Sequence, residues 1–280
     1  MRRCLYPPSM SAPYARLLSS ITAIAAAPIE KEKTLARTLE YLDDAGRLYV
    51  DTRRGPLTFT TRRSVGAYKM AKAWDDEPET LKWVDDHVKP GDVVWDIGAA
   101  IGVMAMYIAL DPKVRVIAFE PKAASYALLV DHLSMNGMGE RVDAYCLALS
   151  DERKLASFRV DTRQPGGASN GLDGTPNQFG AGSAALIQSA LTISIDEFQT
   201  LYDAPPPTHL KLDVDGIEGV ILRGAEKTLP SVKSVIVEVE GENLKHVEER
   251  IEHPLFSAGF YEDANVRGAG SNRNRLYLRR

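Results

Sequence analysis

The sequence predicts an α/β protein with a mostly parallel central sheet and helices on both faces, preceded by an N-terminal helix and hairpin. Three observations carry that expectation. Short apolar runs at 92–96, 114–119, 142–148, 208–213 and 233–239 alternate with stretches of helical period at 102–110, 122–135, 217–228 and 243–252. The runs are apolar almost throughout, as strands buried on both faces must be, and strands alternating with helices build a parallel sheet. The first run, in "VVWDIGAAIG" (93–102), stops on Asp96 and loosens into small residues, the pattern of a tight turn from strand to helix around a ligand.

The elements follow in chain order. "RLLSSITAIAAAP" (Arg16–Pro28) has basic residues ahead of an apolar stretch that ends in small residues, a pattern shared by secretory signals and packing helices. Pro7, Pro8 and Pro13 upstream do not suit a signal, so a helix is expected. "RLYVDTRRGPLTFTT" (47–61) reads as a hairpin turning at Gly55-Pro56. In "DDEPETLKWVDDHV", Asp76 is placed to cap a helix, Glu79 to complete a capping box, and Pro78 to sit in the first turn. These readings divide the chain into an extension over 1–74 and a ligand-binding domain over 75–280. Residues 161–190 are rich in Gly, Asn, Pro and Ser without a period, and read equally as a substrate lid or a surface insertion. "MAMYIAL" after Gly102 is apolar all round and is expected to be buried, and "NRNRLYLRR" reads as a closing strand with alternating arginines.

Composition narrows the function classes. A formal net charge of −4 argues against a protein held on nucleic acid by bulk electrostatics. No apolar run is long enough to span a bilayer. Cys4 and Cys146 are too few for a disulfide framework or a cysteine-rich metal site, which fits a reducing cytoplasm. Oligomerisation is left open.

The glycine turn carries the chemistry. A dinucleotide fingerprint needs Gly-x-Gly-x-x-Gly, but here Gly98 and Gly102 flank Ala100 at the middle position, which counts against a pyrophosphate approaching the backbone. Asp96 also sits badly beside phosphate and suits a cationic or amino-bearing ligand. Glu120 ends the next run in "VRVIAFEP", where it can accept both hydroxyls of a ribose. A ligand with a ribose, little phosphate and positive charge is S-adenosylmethionine. Asp96, Gly98, Ala99, Ala100, Gly102, Glu120, Pro121 and Ala148 are the expected cofactor residues.

From about residue 75 onward the chain resembles the FkbM-type methyltransferases. The resemblance rests on "GDVVWDIGAAIG", "VIAFEPKAASYALLVDHLSMNG", "LALSDE" and, most specifically, "HLKLDVDGIEGVILRGAEKTL" with "VIVEVE". Ala100 stands where the family often has Asn, and Asp215 where it usually has Glu. The resemblance implies a Rossmann-like class I methyltransferase fold and S-adenosylmethionine-dependent methyl transfer to a hydroxyl of a sugar, glycan or secondary metabolite.

Transfer from a sulfonium needs an aligned acceptor and help in removing its proton. "LKLDVDGIEG" (210–219) offers Lys211, Asp213 and Glu218 as catalytic candidates, with Lys211 and Asp213 on one side of the strand. Asp213 is the favoured base, since a strand buried on both faces carries a charge there. Asp215 fits a helix cap at least as well, Glu218 reads equally as catalytic or structural, and His209 reads as a surface residue. No ligand cluster for a metal is evident. The competing readings are methylation of RNA or protein, a non-catalytic cofactor-binding module and, last, an NAD oxidoreductase.

Overall fold

The computed structural model describes residues 33, 36–39, 46–62, 64–166, 170–172, 185–214, 216–239, 247–267 and 269–280. The helix expected at 16–28 and Asp215 lie outside the described residues. The chain falls into two compact units, Met1–Arg47 and Leu48–Arg280. The hairpin β1 (Arg47–Thr52) and β2 (Gly55–Thr60) turns at the expected place. Its Leu48, Val50, Leu57 and Phe59 are buried in the same apolar cluster as the larger unit's helices.

Helix α1 (Val65–Lys72) is capped by the Ser64 hydroxyl, which accepts from the Ala67 amide. Helix α2 (Pro78–His87) starts on Pro78 as expected, but Glu77 is its N-cap residue and no side chain caps it. Asp76 plays no capping part, and Glu79 accepts instead from Ser271 and Asn274, tying α2 to the distant C-terminal segment. The alternating core follows: β3 (Val93–Ile97), α3 (Val103–Ala109), β4 (Arg115–Phe119), α4 (Ala123–Met135) and β5 (Val142–Tyr145). The run expected to be one strand at 142–148 breaks after Tyr145. Its end becomes β6 (Ala148–Ser150), which belongs to a second sheet with β7 (Lys154–Val160), β8 (Gly171–Leu172) and β9 (Leu186–Ser194). Residues 171–172 and 186–190 of the expected loop are therefore strand.

After α5 (Ile195–Tyr202) come β10 (His209–Leu212), α6 (Glu218–Arg223), β11 (Ser234–Glu238), a π-helical stretch Val247–Glu252, α7 (His253–Ser257), β12 (Phe260–Glu262) and β13 (Asn274–Arg279). The main sheet has the order β12-β13-β11-β10-β3-β4-β5. Strands β11, β10, β3, β4 and β5 are parallel, and β13 runs antiparallel between β11 and β12. Alternate residues feed two apolar layers. Val94, Val116, Ala118 and Ile236 pack on the side of α2, α3 and α4. Trp95, Ile97, Phe119, Leu210 and Val237 pack on the side of α5, α6 and α7. Every residue of α3 from Met104 to Ala109 is buried, as its all-round apolar sequence requires.

His209 is the clearest departure from expectation. It is 1% exposed, and its imidazole meets Ser234 Oγ at 2.7 Å and Asp92 Oδ2 at 3.0 Å. The residue begins a central strand, and Asp92 just ahead of β3 and Ser234 on β11 supply the partners that make burial tolerable. Among the described residues no helix is long and apolar enough to cross a membrane.

Candidate active site

Four parallel strands bring an acid to one edge of the sheet. Asp96 lies near the end of β3, Glu120 just past β4, Asp213 just past β10, and Glu238 closes β11. In an open parallel sheet that edge is the binding crevice.

The turn after β3 opens backbone toward the crevice. Gly98 has φ +86°, and an added Cβ would lie 1.9 Å from the Asp213 carbonyl oxygen. Only glycine permits that approach, which clamps the β3 turn onto the end of β10. The amides of Gly98 and Ala99 both donate to the Phe119 carbonyl at 3.0 Å, fixing the turn to β4 as well. Ala100 takes the left-handed conformation at φ +49°, uncommon for a side-chain-bearing residue. Gly102, at φ +87°, begins α3, and a Cβ there would lie 2.3 Å from Leu129 Cδ1. Gly102 therefore serves the packing of α3 on α4 and stays behind the crevice.

Two adjoining cavities follow the turn. One of about 250 Å³ is lined by Gly98, Ala100, Glu120, Pro121, Ala148, Asp213 and Glu238, among others. The second, about 350 Å³, is lined by Asp96, Gly98, Ala99, Ala100, Lys211 and Asp213. Met70, Glu77 and Arg273 border both. Apart from Gly102 and Glu218, every residue expected from the sequence to bind cofactor or to be catalytic lines one or both. Glu218 is 4% exposed, and its Oε1 accepts from the Gly216 amide at 3.1 Å. It braces the turn between β10 and α6 and is absent from the lining of both cavities.

The charges form a chain across the strand ends. Asp96 is fully buried, neither carboxylate oxygen has a hydrogen-bond partner, and the nearest cation, Lys211 Nζ, stands 3.7 Å away. Burial pushes its carboxyl up, with Lys211 opposing. Lys211 Nζ sits 2.9 Å from Asp213 Oδ2. Burial works against the ammonium, but Asp213 and Asp96 overcome it and raise its pKa. The Asp213 side chain is 31% exposed, more open than those of Asp96, Glu238 and Glu77. Burial raises its carboxyl, and the Lys211 charge with a hydrogen bond from Glu238 carries it below the usual range. Glu238 is pushed up to about 9 by burial, then by the negative charge of Asp213. Arg273 Nη1 approaches Glu238 at 3.1 Å and Nη2 approaches Glu77 at 3.4 Å. Glu120 accepts from the amides of Ala100 at 2.8 Å and Lys122 at 2.7 Å, while burial lifts its carboxyl to about 7.

This set fits a cationic ligand bearing hydroxyls. The orphaned oxygens of Asp96 call for a donor group, and each Glu120 oxygen keeps a lone pair for a hydroxyl. The acids Asp96, Glu120, Asp213, Glu238 and Glu77 outnumber the nearby cations Lys211, Lys122 and Arg273, so positive charge on the ligand is favourable and an additional anion is not.

Sequence reasoning missed Glu238, Arg273 and Glu77. Glu238 ends "VIVEVE" as Glu120 ends "VRVIAFE", so the same strand-end rule could have found it. Arg273 and Glu77 come from segments 196 residues apart, and no local pattern marks them. Nor did it place Asn170, Gly171 and Leu172, which line the first cavity and show that part of the 161–190 segment forms its wall.

Comparison with known proteins gives a family match over most of this architecture. A family model described as the methyltransferase FkbM domain matches residues 96–260. The chain is similar to the hexuronic acid methyltransferase AglP of Haloferax volcanii, 29% identical over 58% of this chain and 62% of that protein. It is also similar to the 31-O-demethyl-FK506 methyltransferase FkbM of Streptomyces tacrolimicus, 41% identical over 23% of this chain and 25% of that protein. The matches thus span less than two thirds of either relative. A solved structure, the magnesium protoporphyrin IX methyltransferase of Synechocystis PCC 6803, aligns with a TM-score of 0.45 and 12% identity, covering 76% of this chain and 83% of that one.

Proposed function

The chain belongs to the methyltransferase FkbM domain family, and on that premise we propose that it transfers the methyl group of S-adenosylmethionine to a hydroxyl of a sugar, glycan or secondary metabolite. The observation that carries this reading is the row of buried acids at the strand ends, with the Asp96 oxygens lacking hydrogen-bond partners beside the open backbone of Gly98 and Ala100. The sugar comes from the printed activity of the hexuronic acid methyltransferase it resembles.

The donor, when bound, supplies a methyl already activated on a sulfonium. In this assignment Glu120 holds the ribose hydroxyls, Asp96 faces the amino-bearing end, and the walls from Pro121 and Ala148 cover the base. Gly98, Ala99 and Ala100 let the ligand lie against backbone. Lys211 keeps Asp213 ionised, and Asp213, open to the crevice, orients the acceptor hydroxyl and takes its proton. A hydroxyl needs that base, because a neutral hydroxyl is a poor nucleophile until it loses its proton. The wall at Asn170–Leu172 excludes water from the reacting groups.

The test pairs binding with product detection. Calorimetry should show S-adenosylmethionine binding, and incubation with metabolite extracts of the source cell should yield a hydroxylated compound carrying one added methyl. Tight NAD binding without S-adenosylmethionine binding overturns the reading, and cofactor binding without transfer to any compound reduces it to a binding module.

A further inference from the structure

We propose that Lys122 is a positioning residue for the cofactor: it fastens the wall over the adenosine end of the crevice to the turn that carries the ribose acid Glu120. The inference rests on the proposed methyl transfer and adds to it how the donor's nucleoside is held in place.

The wall is one face of the second sheet. Gln188 on β9 pairs with Phe158 on β7, and Phe158 pairs with Leu172 on β8, so the three form a row across the strands. Residues in such a row share a face of the sheet. Phe158 and Leu172 line the first cavity together with Glu120, Pro121 and Ala148. Gln188, at the other end of the row, grips the turn after β4. Its Nε2 donates to the Pro121 carbonyl at 2.6 Å, and its Oε1 accepts from the Ala123 amide at 3.0 Å.

Lys122 sits between those two contacts and joins the wall to the ribose acid. Its amide donates to Glu120 Oε1 at 2.7 Å, and Glu120 Oε2 accepts from the Ala100 amide. Its side chain is 3% exposed, and Nζ donates to the Gly166 carbonyl at 2.6 Å and to Asp161 Oδ1 at 3.3 Å. Asp161 and Gly166 lie between β7 and β8, at the foot of the wall. Ser125 Oγ holds the same foot by accepting from the Gly166 amide at 3.1 Å, and Ser64 Oγ by donating to the Pro165 carbonyl at 2.9 Å. A buried ammonium is costly, and a hydrocarbon chain would fill the same space without that cost. What the ammonium alone supplies is a charge-assisted grip on the wall. The backbone of Lys122 thus holds Glu120 while its side chain holds the wall, and one residue sets the distance between them.

Calorimetric titration of the whole protein compares S-adenosylmethionine, S-adenosylhomocysteine and 5′-methylthioadenosine, which share the adenosyl group and differ at the other end. Lys122→Met keeps the backbone bond to Glu120 and releases the wall, so it should weaken all three ligands by the same factor, about tenfold. Leu172→Ala trims the wall itself. Combined with Lys122→Met it should cost less than the product of the two single losses, since both act through one wall. Ser125→Ala removes one hydrogen bond from Gly166 and should give the same pattern at a few-fold, which keeps the test decisive if Lys122→Met does not fold. A lysine serving stability alone would lower the melting temperature and leave affinity per folded molecule unchanged, and that result overturns the proposal. Losses that multiply with Leu172→Ala overturn it too, as does a loss confined to ligands with the methionine end. If wild type binds none of the three ligands, the proposed function itself falls. If it binds them and the variants match it, this inference alone falls.

Discussion

Strands β3, β10 and β11 carry buried charge at both ends, and the two ends treat it in opposite ways. At the amino end, Trp83 Nε1 donates to Ser234 Oγ at 2.8 Å, Ser234 meets His209 Nδ1, and His209 Nε2 meets Asp92. Asp92 also accepts from Lys233 at 2.7 Å and from the Lys89 amide at 2.8 Å. Each donor finds an acceptor and the chain ends on an exposed lysine. At the carboxyl end, neither Asp96 oxygen has a hydrogen-bond partner, Asp213 and Glu238 stand at the ends of adjacent strands, and a cavity opens beside them. The amino end even has the order Ser–His–Asp, but Ser234 and His209 are both 1% exposed, so no substrate reaches them. Side-chain identity does not separate a structural cluster from a working one. Unmet electrostatic demand beside open space does.

The largest expected effect tests the carboxyl end. Asp213→Asn keeps the shape and removes the basicity, so turnover should fall about 10²–10⁴-fold, with cofactor affinity and melting temperature nearly held. A folded variant with wild-type turnover removes Asp213 as the base. The matching change at the other end is His209→Ala, which leaves Asp92 and Ser234 short of partners around a cavity. It should lower stability by about 3 kcal/mol or more, several degrees in melting temperature, without changing cofactor affinity per folded molecule. If that variant melts normally, the amino-end network is not structural.

Glu120→Ala comes next. Losing an acceptor for the ribose hydroxyls should weaken S-adenosylmethionine by about 1.5–3 kcal/mol, roughly ten- to a hundredfold. Unchanged affinity by calorimetry would leave Glu120 with its backbone partners at Ala100 and Lys122 as its whole role.

The smallest effect is in the pH profile of stability, where the ends should pull apart. Asp92 is held low: burial raises it, but Lys233, Lys89 and His209 outweigh that. His209 is also lowered, mainly by burial. The unfolded chain protonates both first, so the amino end loses stability as pH falls below His209's ordinary value of about 6.5. Glu120 and Glu238 are raised to about 7 and about 9. Their contribution is full below the ordinary glutamate value and is lost as pH rises through those folded values. Glu238→Gln should therefore flatten the alkaline limb of the melting profile by about 1–2 kcal/mol between pH 7 and 9, and leave the acid limb unchanged. Thermal scans across pH 5–9 check both limbs.

Much of this was legible in the sequence. The strands fall within one or two residues of the apolar runs, because a strand buried on two faces has little tolerance for polar residues. The break at Tyr145 was not legible, since a continuous apolar run does not say where a chain leaves one sheet for another. The Asp96–Gly98 turn and Glu120 could be read because their spacing is local and their chemistry depends on strand ends.

What the sequence determined by itself is the alternating α/β order, the glycine turn and which carboxylates stand at strand ends. These follow from periodicity and from backbone conformations that few residues tolerate. Only the tertiary structure decided that His209 is buried, that Glu218 braces a turn, that Glu238 stands beside Asp213, and that Arg273 and Glu77 close the crevice. The reason is physical: burial and charge coupling depend on neighbours brought from distant parts of the chain. The energy of a carboxyl group is set by what surrounds it within a few ångströms, whatever the distance along the sequence.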